Sequence, residues 1–388
     1  MPENKDNKIL NVPNLRFPEF EGEWEKTKLK EISKFSKERL KSIGLSCSNY
    51  VNTENMLQDY QGVVSATNLP TNTNVVKFSK GDVLLSNIRP YLKKVWHADR
   101  NGGCSADVFV FKALPICNSN FLHHVIANDR FIKFAMSGAK GVKMPRGDKE
   151  QMITYKVGLP CIEEQKKIAV FLSLIDERIS TQNKIIEDLK KLKSAIIEIE
   201  YSSKTKTSSH IGDFIVQTSK RNKDNAIQTV LSVSNRQGFI QQSEQFENRC
   251  IASEDTSNYK IVKRNDFAFN PARINVGSIA RLITFEKGIV SPMYICFRTK
   301  DYTTPEYLDY FFESKLFFTE IQKRLEGSVR QCLSYEGLCN IPLPLFSIEV
   351  QHKIGKQLFK LTQKIKLETD FLEILHKQKQ YLLRQMFI

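Results

Sequence analysis

The segment LPCIEEQKKI (Leu159–Ile168) opens a long helical pattern, and LPLFSIEVQHKI (Leu343–Ile354) opens a second one near the end of the chain. Alternating steps of four and three residues from Ile168 follow an apolar seam, and the same seam recurs 186 residues later. Such a stripe is typical of paired helices. The residues assigned to this helix–helix spacer are Ile168, Leu172, Ile175, Ile179, Gln182, Ile186, Leu189, Ile354, Leu358, Leu361, Ile365, Glu368, Leu372 and Leu375.

The seam by itself fits either a parallel or an antiparallel pair of helices. Because a whole domain lies between the two helices, we predict an antiparallel coiled coil in which Gln182 and Glu368 fix the register. Residues Glu163–Glu200 would form a rod of roughly 57 Å. The proline of each Leu-Pro pair fits a first helical turn and keeps the residue before it extended, so it marks where the helix begins.

Segments upstream of each helix repeat at nearly the same spacing. GDVLLSNIRP (Gly81–Pro90) matches NDFAFNPAR (Asn265–Arg273), and KLKEISKFSKER (Lys28–Arg39) resembles HIGDFIVQTSKR (His210–Arg221). Several matches in order indicate two diverged copies of one module.

Each copy combines β-rich runs with helical patterns and lacks a regular alternation of the two, which favours an α+β fold. VVSATNL, DVLLSNI and DVFVFKAL are predicted strands of the first copy, and NSNFLHHVIANDRFIKFAM is a predicted helix. We expect α+β domains at residues 1–157 and 204–341, and helical spacers at residues 158–203 and 342–388.

Composition narrows the class of protein. The 388 residues suit two domains, and no apolar run approaches the ~20 residues that span a bilayer. The net charge of +15 favours a polyanionic partner such as nucleic acid, although other basic proteins share it. The eight cysteines contain no CxxC pair, so we expect reduced thiols and no structural metal. Because the start of the chain lacks a signal-peptide pattern, we expect a cytoplasmic protein.

Basic loops interleaved with aromatic and amide side chains are candidate DNA-binding segments. Arg can read guanine, Asn and Gln can read adenine, and Lys mostly contacts phosphate. Because Arg89 and Arg273 occupy equivalent positions in copies that would read different sequences, a loop-holding or phosphate role is favoured for both. The candidates are Asn87, Arg89, Tyr91, Lys93, Lys94, Lys143, Arg146, Asn270, Arg273, Asn275, Arg281, Arg330 and Gln331.

The sequence offers little support for catalysis. FNPAR (Phe269–Arg273) misses the second proline and the aromatic residue of an adenine methyltransferase motif, and no GxxxxGK[ST] loop is present. The acidic runs lie on the seam helices and are interpreted as solvated flanks. His123 and His124 are interpreted as an ordinary helix surface, so we assign no catalytic and no metal residues.

The order and duplication of these segments resemble the specificity subunit of type I restriction-modification systems. The resemblance rests on LRFPEFEGEWEKTKLKEI (Leu15–Ile32), GSVRQCLSYEGLCNIPLPL (Gly327–Leu345) and the two Leu-Pro helices. The second copy departs from the Glu-Glu-Gln pattern, with Glu349-Val350-Gln351 and a two-residue insertion after Pro344, which leaves its local contacts open.

The resemblance implies a function and a set of partners. The two α+β domains would be target-recognition domains, each reading one half of a split, asymmetric double-stranded DNA site, and the antiparallel helices would set the gap. Two modification (methyltransferase) subunits and restriction (ATP-dependent endonuclease) subunits would assemble around the chain. S-adenosylmethionine, ATP and Mg²⁺ would act on those partners, with no cofactor in this chain. The alternatives are a basic coiled-coil adaptor protein, or a methyltransferase or nuclease with an unrecognised site.

Overall fold

The computed structural model describes residues 11–202, 209–235, 237–242, 255–327, 331–344 and 346–388. The chain divides into two compact units, one comprising Met1–Lys184 with Asp370–Ile388 and the other Ile185–Thr369. Each unit contains one α+β domain together with part of each long helix. No helix in these ranges has the length and apolar character needed to cross a membrane.

Among the described residues, the first unit contains ten strands and the start of the first long helix. The strands are β1 (Glu25–Lys28), β2 (Ser33–Phe35), β3 (Arg39–Lys41), β4 (Tyr50–Val51), β5 (Asn74–Phe78), β6 (Val83–Ser86), β7 (Val95–His97), β8 (Gly102–Cys104), β9 (Val108–Ala113) and β10 (Lys156–Leu159). The helices are α1 (Leu29–Ile32), α2 (Ser119–Ile126), α3 (Asp129–Ser137), α4 (Lys149–Met152) and α5 (Ile162–Glu200).

The second unit contains the remaining described elements. The strands are β11 (Ile215–Thr218), β12 (Val230–Ser234), β13 (Gly238–Gln241), β14 (Lys260–Lys263), β15 (Phe267–Phe269), β16 (Ile279–Arg281), β17 (Lys287–Val290) and β18 (Ile295–Thr299). The helices are α6 (Ile211–Phe214), α7 (Pro305–Phe311), α8 (Lys315–Gln322), α9 (Tyr335–Cys339) and α10 (Ile348–Met386), the second long helix.

The sheets show that the two units repeat one fold. One sheet has the order β2-β9-β6-β7 in the first unit and β11-β18-β15-β16 in the second. The other sheet has three strands in common between the units. In the first unit β4 runs parallel and β5 antiparallel to β8. In the second unit β12 runs parallel and β14 antiparallel to β17. The fourth strand differs, because β3 lies beside β5 whereas β13 lies beside β12. The repeated α+β fold predicted from the sequence is therefore confirmed, with a difference at the sheet edge.

The central strands are buried on both faces, which explains their continuous apolar runs. In β6, Val83 and Leu85 join the core under the helices, whereas Leu84 joins the core between the two sheets. In β15 of the second unit, Phe269 joins the core under the helices and Ala268 joins the core between the two sheets. Each domain thus stacks helices, sheet and sheet, and the period of two along a strand decides which core each side chain enters.

The long helices pair antiparallel, as predicted. In the first unit Asp176 of α5 forms an ion pair with Lys379 of α10, and Gly158, just before α5, lies beside Ile388 at the chain end. Contacts therefore move backward along α10 as they move forward along α5. In the second unit Ile197, late in α5, shares a core with Ile354, early in α10.

Every residue assigned to the seam is buried or half-buried. Leu172 and Leu358 are fully buried, and full burial of a leucine contributes roughly 1.5–3 kcal/mol. The side chains between the seam positions carry most of the charge of both helices.

Three local expectations were wrong. The predicted helix over Asn118–Met136 is two helices, because Asn128 leaves the helical conformation and its side chain caps α3. VVSATNL forms no strand, and its Val63 makes only an isolated bridge with Met56. Pro160 lies two residues before α5 rather than in its first turn, although Leu159 is extended as expected.

Candidate DNA-binding surfaces

Two basic loops lie side by side in the first unit. The loop after β6 contains Asn87 and Arg89, and the second loop joins α3 to α4. Arg89 N donates to Pro145 O at 2.8 Å, and Gly147 N donates to Asn87 O at 3.2 Å. The structure therefore brings together two segments that the sequence indicated separately.

Three of the predicted residues on these loops are exposed to solvent. Tyr91 is 48% exposed, and Lys143 and Arg146 are exposed as well. Arg146 Nη1 lies 3.3 Å from Asp107 Oδ1, an exposed ion pair that contributes little to stability and can yield to a phosphate. An exposed tyrosine ring and two exposed cations on adjacent loops suit contact with a nucleic-acid backbone or an exposed base.

Asn87 and Arg89 are half-buried at the base of the same surface. Arg89 adopts the left-handed conformation with φ of 52°. Within the described ranges, Asn87 Oδ1 and Arg89 Nε are buried without a hydrogen-bond partner. An unsatisfied buried polar atom costs about 1–3 kcal/mol. A polar ligand at this surface would reduce that cost.

Lys93 and Lys94 already have protein partners. Lys93 Nζ lies 2.8 Å from Asp129 Oδ1 and 5.9 Å from the ring centroid of Tyr60. Lys94 Nζ donates to Thr53 O at 2.6 Å. Both contacts hold the loop against the domain, so direct binding of DNA by these lysines stays a prediction with a competing structural role.

The equivalent loop of the second unit joins β15 to β16. Asn270 and Arg273 line a pocket of 440 Å³, with Asn235, Gln242 and Tyr259 on other walls. Both Arg273 and Asn275 are exposed. The backbone of Arg273 has φ of −136°, so it differs from Arg89 in conformation as well as in exposure.

The second loop of the surface is also repeated. Lys140 and Arg146 form an isolated bridge in the first unit, and Glu326 and Cys332 form one in the second. Leu333 N donates to Pro271 O at 3.0 Å, which joins the two loops as in the first unit.

A glycine permits the turn of this second loop in both units. Gly141 and Gly327 have φ of 95° and 104°, a conformation that side chains rarely adopt. Gln331 is exposed on the loop of the second unit, and the predicted Arg330 lies outside the described residues.

Arg281 lies away from these loops. Its side chain is 8% exposed, and its guanidinium forms ion pairs with Glu306 and, at 3.3 Å, with Asp309. Both carboxylates belong to α7 and hold the side chain inside the domain, so contact of Arg281 with DNA stays a prediction with a competing structural role.

Sequence reasoning missed Asn235, Gln242 and Tyr259. Asn235 and Gln242 belong to SNRQGFIQQ, a run rich in amide side chains that could have marked an adenine-reading segment. Tyr259 carries no comparable signal, since only the folded sheet brings it to the pocket.

Comparisons with known proteins agree with this architecture. The model of the type I restriction modification DNA specificity domain matches residues 21–191. The specificity subunit of the type I restriction enzyme MjaVIII from Methanocaldococcus jannaschii is 23% identical, over 97% of this chain and 94% of that protein. The chain is therefore similar to type I restriction-modification specificity subunits, over nearly its whole length in the second comparison.

Solved structures from type I systems share the fold of this chain. The S subunit from M. genitalium matches with a TM-score of 0.61 and 16% identity, covering 97% of this chain and 99% of that chain. A chain from a structure on complex assembly and conformational transition of the type I R-M system matches with a TM-score of 0.54 and 16% identity. The match covers 93% of this chain and 96% of that chain.

Proposed function

We propose that this chain is a specificity subunit that reads a split, asymmetric DNA site, with one half-site contacted by the loop pair of each unit. The observation that carries the proposal is that the two units share one backbone arrangement but present different side chains on its loops. In each unit one loop joins two strands of the equivalent four-stranded sheet and a second loop lies beside it. These loops present Tyr91, Lys143 and Arg146 in one unit, and Arg273 and Asn275 in the other. Different side chains on one scaffold suit two different half-sites.

The charge of the chain supports DNA as the partner. The net charge of +15 provides attraction to phosphates without sequence preference, and the loop residues add selectivity. The chain would act in the cytoplasm as a non-catalytic subunit. S-adenosylmethionine, ATP and Mg²⁺ would act on its partner subunits.

We propose an apolar groove on the helices of the first unit as the surface that binds a modification subunit. Phe171 and Leu174 of α5 and Phe371 of α10 are exposed apolar residues lining a groove of 670 Å³. Contiguous exposed apolar side chains mark interaction sites. We expect the double substitution Leu174→Asp and Phe371→Asp to abolish co-purification with the modification subunit, whereas Lys366→Asp on the polar face of α10 leaves it intact.

The decisive experiment is methylome sequencing of cells with and without this gene while the modification subunit is expressed. Loss of adenine methylation at one split motif is the expected result and would supply both half-sites. Unchanged methylation would overturn the proposal and favour the adaptor. Methylation of DNA by the purified chain alone would instead favour an enzyme with an unrecognised site.

A further inference from the structure

Three side chains with metal-ligating atoms meet where α2 packs on α5 in the first unit. His123 and His124 of α2 and Asp176 of α5 each place one ligand atom within 4.8 Å of the others. His97, at the end of β7, adds a third imidazole whose ring centroid lies 5.6 Å from that of His123. Imidazoles with a carboxylate form a donor set that Zn²⁺ takes in proteins.

These imidazoles lack the partners that buried polar groups normally have. His124 is fully buried, which corrects its interpretation as helix surface. In the part of the chain that the structure describes, neither ring nitrogen of His124 has a hydrogen-bond partner of normal geometry. The backbone of Ala169 lies close enough to interact with the imidazole. His123 Nδ1 and His97 Nε2 are likewise buried without a partner among described residues. Such a cluster is destabilising unless something binds it.

In the second unit, the equivalent sequence positions carry groups with nearby polar partners. The residues 186 positions after the histidine pair and Asp176 are Asp309, Tyr310 and Thr362. Asp309 Oδ2 lies 3.3 Å from Arg281 Nε, and Tyr310 Oη lies 3.4 Å from Thr362 Oγ1. In the first unit, a histidine pair stands where the second unit has an acid and a phenol. A cation would supply partners for that histidine pair.

We propose that His123, His124 and Asp176, with His97 as the fourth donor, bind a divalent transition metal ion, with Zn²⁺ the ion that best fits this donor set. Lys379 is the competing cation, since its ammonium forms an ion pair with Asp176. When Asp176 binds the metal, Lys379 moves toward the ring of Tyr60, whose centroid lies 5.6 Å away. The metal would join α2 to α5 and act on the stability of the first unit rather than on DNA reading.

The test uses the full chain after chelator treatment, with Co²⁺ as a spectroscopic probe and Zn²⁺ as the competitor. We expect one equivalent of Co²⁺ to give the absorption bands of tetrahedral coordination. His123→Gln and Asp176→Asn should each weaken binding at least about tenfold. Lys379→Met should strengthen binding, because the competing ammonium is removed. His352→Gln, an exposed histidine of α10, is the matched control and should change nothing.

Two results would overturn the proposal. One is the absence of a tetrahedral spectrum in the unsubstituted chain, and the other is equal Co²⁺ affinity in the Asp176→Asn variant and the His352→Gln control. Asp176→Asn is nearly isosteric, so circular dichroism showing the unsubstituted helix content separates lost coordination from lost folding. Stronger binding by Lys379→Met is a gain that a misfolded variant would not give.

Discussion

Gln165 and Gln351 make the same three hydrogen bonds in the two units. Each Oε1 accepts from the backbone N–H of a residue that caps a helix, at 2.8 Å from Asn118 and 3.0 Å from Thr304. Each Nε2 donates to two backbone carbonyls. These acceptors are Ile116 and Pro160 in the first unit, and Tyr302 and Phe346 in the second. One buried amide therefore fixes the start of each long helix to its own domain.

Replacing either glutamine should destabilise its own unit. We expect Gln165→Ala or Gln351→Ala to lower the free energy of unfolding by about 2–4 kcal/mol, because three hydrogen bonds are lost and buried backbone groups are left unsatisfied. Urea unfolding followed by amide hydrogen exchange would assign the loss to a unit. Gln363→Ala, at an exposed position of α10, should cost less than about 0.5 kcal/mol. Equal effects at all three positions would show that the amides do not clamp the helices.

The sequence alone left the contacts of Gln351 undecided, because Val350 occupies the position that Glu164 has in the first unit. The structure gives a local reason for that replacement. Glu164 accepts from Arg16 Nε at 2.8 Å and from Trp24 Nε1 at 3.2 Å, both in the segment that precedes β1. Val350 is instead exposed to solvent. The sequence pattern could not separate the two positions, since Arg16 lies 148 residues from its partner.

Features set by short periods were predictable, whereas those set by distant contacts were not. The seam from Ile168 and the repeat of the β6 and β15 segments follow from spacing alone. The edge position of β13, the burial of His124 and the ion pairs of Arg281 depend on strands and helices that meet only after folding. For the candidate site, the loops were identified from composition, but their contact through Arg89 and Pro145 was not.

Arg273 provides a test of sequence reading by the second unit. Because its side chain is exposed on the wall of the pocket, Arg273→Ala should weaken binding by about 1–3 kcal/mol and relax selectivity at one position of one half-site. Methylome sequencing of the variant would locate that position. A uniform loss over all positions would assign Arg273 to phosphate contact instead, the role favoured by its equivalence to Arg89.

Lys143 should behave as a phosphate contact. Lys143→Ala is expected to weaken binding to all sequences alike and to reduce the slope of log affinity against log salt by about 1. Fluorescence anisotropy with the assembled modification complex, at several salt concentrations, measures that slope. Lys366→Ala, a charge-matched change on an exposed face of α10, should leave it unchanged. A selective effect on one base pair would contradict the assignment.

Arg281 should stabilise the second unit in a pH-dependent way. Burial raises the pKa of Asp309 to about 6, against the lowering by Arg281. Because the folded pKa lies above the usual carboxyl value, the cost of ionising Asp309 is absent in acid, grows as the pH rises toward about 6 and is fully present above it. Arg281→Ala should therefore lower the free energy of unfolding by about 1–3 kcal/mol at neutral pH, which is less than the loss for a fully buried ion pair. The decrease should be smaller near pH 5.

Urea unfolding at both pH values would measure the effect of Arg281→Ala. The control is Arg264→Ala, whose partner Glu286 is exposed, and it should cost less than about 1 kcal/mol at either pH. A loss for Arg281→Ala that is equal at the two pH values would remove Asp309 as its cause.

The helices should set the distance between the two half-sites. Inserting seven residues after Lys184 in α5 and seven after Thr369 in α10 keeps the heptad seam and adds ~10.5 Å to each helix. The preferred gap in the methylated motif should then lengthen by about 3 base pairs, at ~3.4 Å each. Insertions of five residues are the control, since they rotate the seam out of register and should abolish methylation. An unchanged gap with the seven-residue insertions would show that the domains find their half-sites independently of helix length.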